Sequence, residues 1–86
     1  MFDLIVDDGS HVREHQVTSL KALLPFVRPG GYYIVEDLGT GPITDIQALI
    51  DAVPKRGYDC TAIQITGGLG PKVQPYEWLF VVYREA

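Results

Sequence analysis

Four apolar runs alternate with two stretches of helical spacing, in an order that leaves few folds open. FDLIVDD (2–8) reads as a strand in which Phe2, Leu4 and Val6 alternate with Asp3 and Ile5, so both faces are partly apolar. Val17, Leu20, Leu23, Leu24 and Val27 then recur at helical intervals. They predict a helix from Val12 to Val27, with Ser10 as its N-cap and Glu14 in its positive first turn. Pro29-Gly30-Gly31 should end that helix in a turn before a second strand, YYIVEDL (32–38). Gly39-Thr40-Gly41-Pro42 leads into a second helix, roughly Thr44 to Lys55, carrying Ile46, Leu49, Ile50 and Val53. CTAIQIT (60–66) is a third strand, GGLGPKVQPY a loop, and EWLFVVYRE (77–85) a fourth strand. The order βαβαββ predicts an α/β layered domain, with the first three strands parallel and the last pair antiparallel.

The size and balance of the chain fit one small domain, residues 1–86. A chain of this length buries only roughly 60–65% of the surface its unfolded form exposes. Its 47% hydrophobic and 21% charged content is that of a globular protein. A net charge of −4 with no basic run argues against nucleic acid or an anionic membrane as partner. Cys60, the single cysteine, allows no internal disulfide and fits a reducing cytoplasm; as a small thiol in a strand it is given no catalytic role. The opening MFDLIVDD lacks the basic start and long apolar run of a secretory signal, and no stretch reaches the length of a membrane span.

Strands and helices are mismatched in number. The second strand offers Tyr32 and Ile34 on one face, Tyr33 and Val35 on the other. The fourth offers Trp78, Phe80 and Val82 against Leu79, Val81 and Tyr83. Two right-handed crossovers running one way along a sheet place both helices on the same side. One apolar face and the edge of the first strand are then left bare, which predicts a two-fold homodimer through either of them.

Parallel strands collect ligands at their carboxyl ends. The first strand ends in Asp7-Asp8 and the second in Glu36-Asp37; as neighbours they would bring four carboxylates to one rim, with Arg13 the only basic residue near them in sequence. Such acids either recruit a cation or cap their own turns. Oxygen donors suit Mg²⁺, Mn²⁺ or Ca²⁺, and an added imidazole widens the choice to other divalent transition metals such as Zn²⁺. His11, at a helix N-terminus beside the acids, can serve as a metal ligand or a general base. His15, four residues on, is expected in solvent, while Tyr32, Tyr33, Tyr76 and Trp78 are expected to pack.

D-D-G-S-H, a helix, R-P-G-G-Y-Y-I-V-E-D-L, a second helix and a closing hairpin together resemble the second half of a class I S-adenosylmethionine-dependent methyltransferase, a half of the Rossmann-like fold. The nearest likeness is to the metal-dependent macrolide sugar O-methyltransferases of the macrocin and mycinamicin type. The resemblance spans Phe2 to Glu85. It implies a Mg²⁺ held by Asp8, Glu36 and Asp37, and His11 as the base toward a sugar hydroxyl whose pKa the metal lowers. It also implies that the fourth strand lies between the second and third. The methyl donor's Gly-rich loop and acidic residue belong to the other half of such enzymes; Gly67-Gly68-Leu69-Gly70 precedes no helix and does not replace them. The expectation is a metal-binding fragment without methyl transfer of its own. The alternatives are a dimeric metal-dependent hydrolase acting on phosphoesters or other activated esters, and a non-catalytic dimeric module.

Overall fold

The computed structural model of the chain describes residues 1–9, 12–36, 38, 46–65 and 77–86. They form β1 (Phe2–Asp7), α1 (Arg13–Leu23), a 3₁₀ turn (Leu24–Phe26), β2 (Val27–Val35), α2 (Ile46–Ala52), β3 (Tyr58–Ile65) and β4 (Glu77–Arg84). One sheet holds all four strands in the order β1-β2-β4-β3. β1 runs parallel to β2, while β4 is antiparallel to both β2 and β3. Three strands therefore share a direction, as expected, and the fourth lies between the second and third. That insertion makes two of the three ladders antiparallel.

α1 ends sooner than the apolar spacing predicts. Leu24 still donates its N–H to Leu20 O, but Pro25 has no N–H to continue the ladder. The chain tightens into the 3₁₀ turn, and Val27 N–H closes it on Leu24 O. Val12, not Ser10, holds the N-cap position and makes no side-chain cap bond; Ser10 lies outside the described residues. Glu14 does stand in the first turn.

β2 also departs from expectation, for it starts at Val27 and takes Pro29-Gly30-Gly31 into its length. Phe2 pairs with Val27 and Leu4 with Tyr32, so Asp3 faces a bulged excursion of four residues on β2. Gly30 permits the excursion with a φ of +86°. Gly31 permits close approach, since a Cβ there would stand 2.6 Å from Asp3 O. β3 begins at Tyr58, two residues earlier than predicted, because its register follows β4 from Arg84 onward. Glu85 N–H fastens the start of β3 by donating to Gly57 O. The described part of α2 lies within the predicted helix.

One face of the sheet and both helices make the core. Tyr33, Val35, Phe80 and Val82 meet Leu20 and Leu24 of the α1 side and Leu49 and Val53 of the α2 side, all buried. The opposite face has no helix among the described residues. Leu4, Val6, Tyr32 and Ile63 are 53%, 46%, 45% and 43% exposed there, and Ile34, Leu79, Val81 and Tyr83 are half-buried.

Candidate functional site

β1 and β2 deliver their carboxyl ends together. After Asp7 pairs with Val35 the ladder continues one step, with Glu36 N–H donating to Asp7 O at 2.9 Å. Asp8 and Glu36 thus leave adjacent parallel strands side by side, Asp8 exposed and Glu36 half-buried. Two of the four expected site residues are juxtaposed by this step; His11 and Asp37 lie outside the described residues.

Asp7 does something different. Its Oδ1 accepts the N–H of Gly9 at 3.2 Å, a local turn that starts the loop. Its Oδ2 is buried and has no hydrogen-bond partner among the described residues, and the hydroxyl of Tyr33 on the same sheet face is in the same position. Burial, and secondarily the charge of Asp7, pushes the Tyr33 phenol up to about 12. Tyr33 and the half-buried Trp78 are packing residues, as expected. Tyr32 is not buried; it leans on Tyr83 across the open face with ring centroids 5.1 Å apart. Cys60 is half-buried, and burial followed by the charge of Asp59 raises its pKa, which makes it a poor nucleophile. His15 is exposed, and Tyr76 lies outside the described residues.

Behind the rim stand two residues that the sequence did not single out for a role. Gln16 of α1 is 1% exposed, and its Nε2 donates to Glu36 O at 3.5 Å while its Oε1 accepts from Arg13 Nη1 at 2.5 Å. Arg13 Nη2 in turn donates to Leu38 O at 3.3 Å. The signal was present: Gln16 sits one turn before Leu20 on the buried stripe, where a polar side chain needs partners. Arg13 also lines an open groove between α1 and α2, with Glu14, Val17, Thr18, Lys21 and Ala48.

The register of β1 and β2 brings the backbone of Asp8 and Glu36 to neighbouring strand ends, and carboxylate oxygens are the donor type that hard divalent cations take. Among the described residues no three His, Cys, Asp or Glu side chains gather as a ligand set. None of the described helices is long and apolar enough to cross a membrane.

A mixed α/β sheet with acids at the mouth of its parallel pair is the class this geometry defines. No family model matches the chain. It is similar to sugar O-methyltransferases, and the resemblance read from the motifs is borne out over part of the chain. Demethylmacrocin O-methyltransferase of Streptomyces fradiae is 62% identical over 39 residues, which are 45% of this chain and 10% of that protein. Mycinamicin VI 2''-O-methyltransferase of Micromonospora griseorubida is 56% identical over a stretch of the same length. A tetracenomycin-C rhamnosyl 3'-O-methyltransferase of Streptomyces olivaceus reaches 56% as well. The matched stretch spans about a tenth of the length of each of these relatives.

Proposed function

We propose that these residues are a divalent-metal-binding piece of a sugar O-methyltransferase of half-Rossmann-like architecture, with the site for S-adenosylmethionine outside them. Two lines support the reading: the similarity to sugar O-methyltransferases, and the backbone bond from Glu36 to Asp7 that joins the two acidic strand ends. The second is the observation that carries the metal site. Asp8, Glu36 and Asp37 are the ligands of this proposal and His11 is the base or an added ligand. The cation is Mg²⁺ in the first instance, with Mn²⁺ or Zn²⁺ as substitutes. Bound there, it would supply Lewis-acid polarisation of neighbouring hydroxyls on a small-molecule acceptor.

Calorimetric titration with Mg²⁺, Mn²⁺ and Zn²⁺ tests the site directly. Asp8→Ala and Glu36→Ala are each expected to weaken binding at least tenfold, while S-adenosylmethionine produces no thermal shift in the 86-residue chain. Absence of metal binding by the parent chain would remove the proposal, and a clear shift with S-adenosylmethionine would remove its second half. The hydrolytic alternative has no observation of its own in its favour. The homodimer does: the helix-free face and the exposed β1 are apolar, and we propose that a second copy covers one of them.

A further inference from the structure

We infer that Gln16 and Arg13 are positioning residues, a clamp through which α1 fixes the direction in which the chain leaves β2 at Glu36. A glutamine on a buried helical stripe is costly unless both ends of its amide are bonded. Here both are. Its oxygen accepts from Arg13, and its nitrogen donates to the carbonyl of Glu36. Arg13 extends the grip two residues further, to the carbonyl of Leu38.

The Glu36 residue is consequently held from two sides. Its N–H is fastened to β1 through Asp7 O, and its carbonyl is fastened to α1 through Gln16. Regular pairing with β1 stops at Val35, so this double hold is what continues the order of the sheet into the rim. A leucine at position 16 would fill similar space with no polar group to satisfy. What the amide adds is a fixed backbone next to the carboxylate of Glu36. Neither Gln16 nor Arg13 is a metal ligand in this scheme; each acts through main-chain carbonyls on either side of position 37. The consequence for metal affinity rests on the proposed cation site, whereas the clamp does not.

Gln16→Met keeps the length of the side chain and removes the amide. Amide hydrogen exchange of the 86-residue chain reads the clamp, and Mn²⁺ calorimetry reads its consequence. The variant should unfold within a few degrees of the parent. Exchange at Glu36 should accelerate about tenfold or more, and Mn²⁺ should bind about tenfold more weakly, the usual scale for groups that orient a ligand. Unchanged exchange at Glu36 overturns the clamp. If the parent binds Mn²⁺ and the folded variant binds it equally well, the positioning role falls. If the parent binds no Mn²⁺ but the variant still exchanges faster at Glu36, the clamp stands and the metal reading alone fails. Should Gln16→Met not fold, Arg13→Ala removes the partner that orients the amide, and the same exchange measurement at Glu36 decides.

Discussion

Tyr33 carries a hydroxyl into a core that offers it no hydrogen bond among the described residues, with the buried Oδ2 of Asp7 equally unpartnered. Removing such a group while keeping its shape is neutral or favourable, so Tyr33→Phe should raise stability by about 1 kcal/mol in urea unfolding at pH 7. The pH dependence has a definite sign. The folded phenol holds its proton up to about 12 against an ordinary 10.0, so its contribution is intact below pH 10 and drains away as pH climbs through 12. The parent should lose more stability than Tyr33→Phe across that interval. At this scale the juxtaposition of Asp8 and Glu36 was legible, because each closes an apolar run and the two runs pair in parallel. The burial of Gln16 was legible from its place one turn before Leu20, but its partners were not, because the carbonyl of Glu36 is brought to it only by the fold.

Among the elements, α1 and β2 show where periodicity misleads. The spacing of Leu20, Leu24 and Val27 continues smoothly across Pro25, and the three residues are indeed all buried. They reach the core from three conformations in succession, a helix, a 3₁₀ turn and the start of β2, since a proline breaks the hydrogen-bond ladder without breaking the apolar stripe. Leu23, on the same spacing, stays 41% exposed. The Pro-Gly-Gly step reads as a turn, yet it is absorbed into β2 as a bulge opposite Asp3. The ion pair from Arg28 to Asp3, 3.9 Å long and exposed, adds little there. Steric fit matters more. Gly31→Ala would drive a methyl against Asp3 O and Val27 Cγ1, and should cost about 2 kcal/mol by displacing β1. Thermal unfolding would measure it; an unchanged midpoint would mean that β1 is not held at this spacing.

For the whole molecule, the unequal count of helices and strands was the informative feature of the sequence, and among the described residues one sheet face does carry no helix. Strand alternation alone could not place β4, because antiparallel pairing with β3 is satisfied whether or not β4 also lies against β2. Only the family resemblance put it between them. The open face carries its own expectation: sedimentation equilibrium should show a dimer in the micromolar range, and Tyr32→Glu, at an exposed position tilted against Tyr83, should return it to monomer. A monomer at all concentrations would leave the proposed second copy without support. The insertion of β4 also sets a schedule for folding. β3 joins the sheet only through β4, and β4 pairs Tyr83 with Tyr32 across a stretch of chain that includes α2 and β3. Among the described residues, β1 and β2 pair only with each other until residues 77–84 arrive. High contact order of this kind slows folding, so this sheet should close late, when β4 takes its place between β2 and β3.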